Sequence, residues 1–138
     1  MDIDWHSAAA YARWSGGRLL SEDEWEKAAR GTDRRIYPWG DGFDATFSRM
    51  RDSEPGMSTI TSVAGHPVDE SPYGVRGMAG NACTWCDGER AGRRAYRGGA
   101  WAFHQASVRS ACRFVADASY RYFGLGVRVA RDPFAPIP

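Results

Sequence analysis

The residues best equipped for chemistry are few. The chain holds three cysteines and three histidines, and two of the cysteines form a CTWC stretch at 83–86. With Cys112 and His104, Cys83 and Cys86 offer a Cys₃His donor set of the kind that holds zinc. One C-x-x-C pair without a second is a weak sign. A strand through 83–86 would point Cys83 and Cys86 to opposite faces, where they could not chelate one ion. The competing reading treats cysteine as a small, partly buried apolar residue. Gly77 and Gly80 lack the strand-to-helix turn of a phosphate cradle. A third feature is RGGAWAFHQASVRSACRF at 97–114 with its continuation VADASYRYFGLGVRVARD. There Ala102, Phe103, His104, Cys112, Phe114, Val115, Tyr120, Tyr122 and Phe123 lie between repeated arginines and glycines. Aromatic side chains on anchored loops supply contact area at low entropic cost, which is the chemistry of recognition.

The elements that must position these residues divide the chain in two. Asp4 can cap a helix in which Trp5, Ala8, Ala9, Ala12 and Trp14 recur near a 3.6-residue period, and Gly16 and Gly17 stop it. SEDE at 21–24 is a capping box, with Trp25, Ala28 and Ala29 as the buried stripe of a second helix and Gly31 at its end. Two helices are thus predicted near 5–14 and 22–30. After Thr32 no helical period persists. Short runs of β character at 59–63, 93–96, 108–114 and 125–130 alternate with glycine, proline, serine and aspartate. The class is α+β, two helices followed by short antiparallel strands and much irregular backbone.

Composition narrows the function. With 138 residues the chain suits one compact domain over 1–138, and its net charge of +1, both signs interspersed, gives no reason to expect nucleic acid or a membrane surface. Asp2 and Asp4 stand where a signal peptide would be basic, and no long apolar run follows. Three cysteines cannot all pair within one chain, so a reducing compartment, the cytoplasm, is expected.

Six stretches occur in one order: GGRLLSEDEWEKAARG at 16–31, YPWGD at 37–41, SPYGVRGMAGN at 71–81, RGGAW at 97–101, RSACR at 109–113 and GLGVRVARD at 124–132. Together they resemble the formylglycine-generating enzyme (sulfatase-modifying factor) family over residues 5–131. The resemblance implies a C-type-lectin-like fold, here without the strand and helix that usually open it. Either the chain is a shortened member, or a separate segment or a second subunit is expected to supply that wall. The copper-binding thiols of the family's oxidases fall on Phe103 and Val108, which cannot bind a soft metal. The iron-binding histidines of the family's sulfoxide synthases lie in a helical domain with no counterpart here. At the calcium-binding segment Gly77 replaces an Asp or Asn and Thr84 a Glu, a poor oxygen cage. No cofactor is therefore expected, and an oxidoreductase of either kind is the alternative reading.

The interleaving within 97–123 further resembles the variable proteins of diversity-generating retroelements, which randomise template adenines, commonly at AAC codons, on the same scaffold. Each interleaved residue has a codon ending in C, although about fifteen residue types share that property. The resemblance implies a non-catalytic domain that binds a protein or small ligand through Ala102, Phe103, His104, Cys112, Phe114, Val115, Tyr120, Tyr122 and Phe123. These side chains are expected on one largely exposed face, with Trp101, Arg109 and Arg128 buried behind. Trp25, Trp39, Trp85 and Trp101 are expected as core anchors. Arg97, Arg109, Arg113 and Arg128 are expected to tie loops through carbonyls and acids such as Glu24.

Overall fold

The structure, a computed structural model, describes residues 2–54, 56 and 58–132. Helix α1 spans Trp5–Trp14 and α2 spans Glu22–Arg30, with strand β1 (Arg18–Leu19) between them. Both starts follow from their caps. The Asp4 carboxylate accepts from Ser7 N at 2.8 Å. Ser21 and Glu24 close the capping box in both directions, which satisfies two amides the helix cannot bond itself.

A long irregular stretch follows, with 3₁₀ turns at Ala45–Phe47 and Val63–Gly65. The remaining strands are β2 (Cys83–Arg90), β3 (Arg93–Arg97), β4 (Arg113–Ala116), β5 (Leu125–Gly126) and β6 (Val129–Ala130). They form a four-stranded sheet in the order β4-β3-β2-β5 and a two-stranded β1-β6 ribbon. The pairs β2–β3 and β3–β4 are antiparallel, but β2–β5 is parallel, which departs from the all-antiparallel expectation. Ala91 and Gly92, both at positive φ, make the two-residue hairpin turn that suits the twist of β2 and β3.

Other expectations need correction. Residues 59–63 form no strand; the run ends in the 3₁₀ turn at Val63–Gly65. The stretch 108–114 divides between the end of a 3₁₀ turn (Gln105–Val108), a tight turn and the start of β4. The longest strand, β2, runs through CTWC, where alternation between two cores made both faces apolar and hid the period.

The pleat of β2 and β3 separates two cores. Thr84, Cys86, Ala95 and Arg97 face α2, where Trp25, Ala29, Leu20 and Met78 pack against Cys86 and Ala95. Trp25 Nε1 donates to Thr84 Oγ1 at 2.8 Å. Cys83 and Trp85 face the other way, toward Ala8, Ala9, Ala12, Leu19 and Leu125. Cys83 and Cys86 therefore belong to different cores, as strand alternation requires. A third cluster gathers Tyr37, Met50, Ala79 and Val108.

Candidate functional site: an aromatic face on the sheet

Opposite the α2 side, Tyr96 of β3 and Phe114 of β4 sit directly across from each other. Side chains of such a pair share one face, and the two rings stack at 5.2 Å. From them the rings continue: Phe114 to Phe103 at 5.5 Å, Phe103 to Tyr122 at 6.0 Å, Tyr122 to Phe123 at 4.4 Å and Phe123 to Trp101 at 5.3 Å. Tyr120 stacks on the other side of Tyr96 at 6.5 Å. These separations suit attractive ring pairs. The inner rings, Phe103, Tyr96 and Tyr122, lean on the core, while Tyr120 and Phe123 are 43% and 55% exposed.

The face is held by backbone and charge. Gly98 and Gly99 turn the chain out of β3 at positive φ. A Cβ at Gly99 would stand 2.9 Å from the Ser107 carbonyl, and one at Gly98 would stand 3.1 Å from the Trp25 ring, so neither position tolerates a side chain. Trp101 N donates to Asn81 O. Arg121, between Tyr120 and Tyr122, donates to Asp4 at 2.7 Å, and Trp5 N donates to Ala118 O. Hydrogen bonds from Ser7 and Arg121 hold the Asp4 carboxyl well below the usual carboxylate range. The cap of α1 thus also anchors the loop carrying the outer rings.

On the rim, Arg51 Nε donates to Ala102 O at 3.1 Å. Arg51 Nη1 meets His104 Nε2 at 3.1 Å, and His104 Nδ1 lies 3.4 Å from Asp52. Of the nine residues singled out by sequence, Phe103, Phe114, Tyr120, Tyr122 and Phe123 thus form one face, with Ala102 and His104 at its border. Val115 departs from it, because it pairs with Ala95 and shares the α2 side. Cys112 lies in the turn before β4, half-buried, with its amide bonded to Arg109 O.

The framework is also arranged differently from expectation. Arg109 is exposed, and Trp101 is half-exposed as a member of the face rather than its support. Trp25 and Trp85 are core anchors, whereas Trp39 is only half-buried, stacked on Tyr37. Glu24 pairs with Arg18; Arg97 and Arg113 instead meet Glu22. Tyr96 and Arg51 were missed. Tyr96 had a signal, since a strand at 93–96 puts it opposite Ala95 and Arg97. Arg51 had none, because only tertiary contact brings it to residue 102.

The thiols are poorly set for chemistry. Burial pushes the Cys83 thiol far up and the Cys86 thiol up to about 12. Burial also raises Cys112. A thiolate is the reactive and ligating form, so these shifts disfavour both roles at neutral pH. Among the described residues no three His, Cys, Asp or Glu side chains are grouped to hold a metal. At the segment compared with a calcium site, the Asn81 side chain is engaged with Thr61, accepting from its amide and donating to its carbonyl, both at 2.9 Å.

Comparison with known proteins places this geometry. The profile of the "Sulfatase-modifying factor enzyme 1-like domain" matches residues 1–133. The bovine "Inactive C-alpha-formylglycine-generating enzyme 2" is 34% identical over 92 residues, covering 60% of this chain and 30% of that protein. The "Formylglycine-generating enzyme" of Thermomonospora curvata is 35% identical over 96 residues, covering 61% and 31%. The chain therefore spans under a third of the length of these curated relatives. Among solved structures, PvdO of Pseudomonas aeruginosa superposes with a TM-score of 0.80 at 25% identity over 95% of this chain and 60% of that one. Treponema denticola variable protein 1 does so with 0.72 at 25% identity over 84% and 48%. The fold is formylglycine-generating-enzyme-like, of the C-type-lectin-like kind.

Proposed function

From the premise that this chain belongs to the sulfatase-modifying factor enzyme 1-like family, we propose that it is a non-catalytic binding domain whose recognition surface is the aromatic face. The observation that carries this reading is the continuous run of rings from Tyr120 through Tyr96, Phe114, Phe103 and Tyr122 to Phe123 and Trp101. Its outer members are exposed and its inner members are fixed by the core. Contiguous exposed apolar surface on a rigid base marks partner sites, and aromatic anchors carry most of the energy in them.

The family includes both enzymes and inactive members, so the scaffold alone does not decide. The side chains do. At the two positions that the resemblance assigns to copper thiols stand Phe103, within the rings, and Val108, fully buried beside Met50 and Tyr37. Neither side chain offers a lone pair to a soft metal. The likeness to Treponema denticola variable protein 1 supports the finer reading of a retroelement-diversified surface, with Phe103, Phe114, Tyr120, Tyr122 and Phe123 as the varied contacts. Cys112 and Val115 fall outside that surface.

Two measurements test the proposal. The wild type and a Tyr120→Ser/Phe123→Ser variant are used to capture partners from extracts of the source cell and its neighbours, and each candidate is then titrated directly. Affinity should fall at least a hundredfold in the variant, because each ring anchor contributes about 2 kcal/mol or more. Equal affinity would place the binding surface elsewhere. Incubation with copper, reductant, oxygen and a cysteine-containing sulfatase peptide should give no formylglycine by mass spectrometry. Product above background would establish the oxidase instead.

A further inference from the structure

A second concave site shares no residue with the aromatic face. A cleft of about 340 Å³ opens between the segments 61–63, 77–84 and 126–128. Ile3, Val63 and Val127 give it apolar walls, and Gly77, Thr84 and Arg128 also line it. A Cβ on Gly77 would meet Val63 at 3.2 Å and the Arg128 guanidinium at 3.7 Å, so the missing side chain keeps that wall thin.

Arg128 is the unusual occupant. Its Nη2 donates to the carbonyls of Arg76 and Gly77 at 2.9 and 3.1 Å. Its Nε is buried without a partner. Nη1 has no hydrogen bond among the described residues, and none of their carboxylates stands within 4 Å. Arg97, by contrast, is fully buried with Glu22 and Glu26 against it. Burial lowers the Arg128 pKa, opposed only by the field of Asp69. Asp69 is a weak counter-charge, since burial pushes its own carboxyl up to about 7. A cation withdrawn from water without a paired anion is costly to keep. Thr84 lines the same cleft; its Oγ1 accepts from Trp25 Nε1, and a hydroxyl that accepts still has its own proton to donate.

We propose that this cleft binds a small organic carboxylate, with its anionic head on Arg128 and Thr84 and its apolar body against Ile3, Val63 and Val127. Guanidinium suits a carboxylate through charge-assisted bonds, and a mostly apolar cleft with few polar groups favours an amphipathic ligand over a bare ion.

The test is an NMR titration of the ¹⁵N-labelled protein with hexanoate, hexanol and inorganic phosphate. Hexanoate should give saturable shifts confined to amides of 61–63, 77–84 and 126–128. Hexanol and phosphate should each bind at least tenfold more weakly, one lacking the charge and the other the apolar body. Arg128→Met should lose about tenfold or more in hexanoate affinity with a folded spectrum, the scale expected for a charged hydrogen bond. If that variant fails to fold, Val63→Trp decides, because it fills the cleft while keeping the arginine at 128 and should weaken hexanoate equally. Absence of saturable shifts, hexanol or phosphate binding as tightly as hexanoate, or full affinity in Val63→Trp would each overturn the proposal.

Discussion

On the α2 side of the sheet Arg97 is fully buried, with Glu26 at 2.5 Å, Ser110 O at 2.8 Å and Glu22 at 3.5 Å. On the opposite side the sheet ends in rings, the outermost about half exposed. The same strand, β3, supplies both surfaces, Ala95 and Arg97 to one and Arg94 and Tyr96 to the other. One side is closed by a helix and its acids. The other is covered by loops whose anchors, Asp4–Arg121 and the Gly98–Gly99 turn, lie at the margin of the rings. A fold that fixes one face this firmly can vary the outer rings of the other, Tyr120 and Phe123, at small cost in stability. That difference is what a recognition scaffold requires.

The largest expected effect lies on the closed side. Arg97→Met should destabilise the protein by about 3–5 kcal/mol in urea denaturation, the range for removing one partner of a buried ion pair. The loss falls on Glu22 and Glu26 together, whose side chains are only 13% and 22% exposed. A cost below about 1 kcal/mol would show that the helix is held by Trp25 and the apolar contacts alone.

Asp69 gives the next effect, through pH. Its carboxyl is buried, accepts from Ala79 N at 3.1 Å and is pushed up to about 7. The folded state therefore binds this proton more tightly than the unfolded chain, in which an aspartate titrates near 3.9. Its contribution is fully present below about pH 4 and is lost as pH rises toward 7. Asp69→Asn keeps an acceptor but removes the titration. The variant's advantage over wild type should grow by on the order of 1–3 kcal/mol between pH 4 and pH 7, then level off. Glu24 and Asp33 work in the opposite sense. Their arginine partners hold them down to about 2, so any stability they add is lost only as pH falls below about 4. A flat Asp69→Asn difference across this range would mean that the carboxyl is ionised throughout.

Ser21→Ala should cost about 1 kcal/mol by thermal or urea unfolding, because the cap amide of Glu24 loses its acceptor. This is also where sequence was most legible. Asp4, Ser21 and Glu24 act within one turn of their own positions, so local chemistry fixed both helix starts. The rings were legible in type but only partly in placement. Phe114 and Val115 are neighbours of similar character, and only the register against Tyr96 and Ala95 sends one outward and the other toward α2. Arg109 and Arg128 look alike within GLGVRVARD and RSACR, yet one is exposed and the other spans the carbonyls of residues 76 and 77. Such partners lie about fifty positions away along the chain, beyond any periodicity. The β2–β5 parallel pair was equally hidden, since a two-residue strand has no pattern of its own.

The smallest effect on stability should come from the outer rings, and it separates the two faces most sharply. Tyr120 and Phe123 are 43% and 55% exposed and rest on other rings rather than in the core. Their replacement by serine removes surface that is only partly withdrawn from water. Exposed substitutions usually stay within about 0.5 kcal/mol each, so the double variant should lose no more than about 1 kcal/mol. Phe103→Ala is the control from the inner row. Its ring packs on the core and meets both Phe114 and Tyr122, so it should cost about 2–4 kcal/mol, nearer the range of buried aromatics. Urea unfolding of the three proteins measures both numbers. A double variant as unstable as Phe103→Ala would make the rings one structural layer, and the face would then be core rather than contact surface. A stable double variant that loses its partner would leave the rings with recognition as their main role.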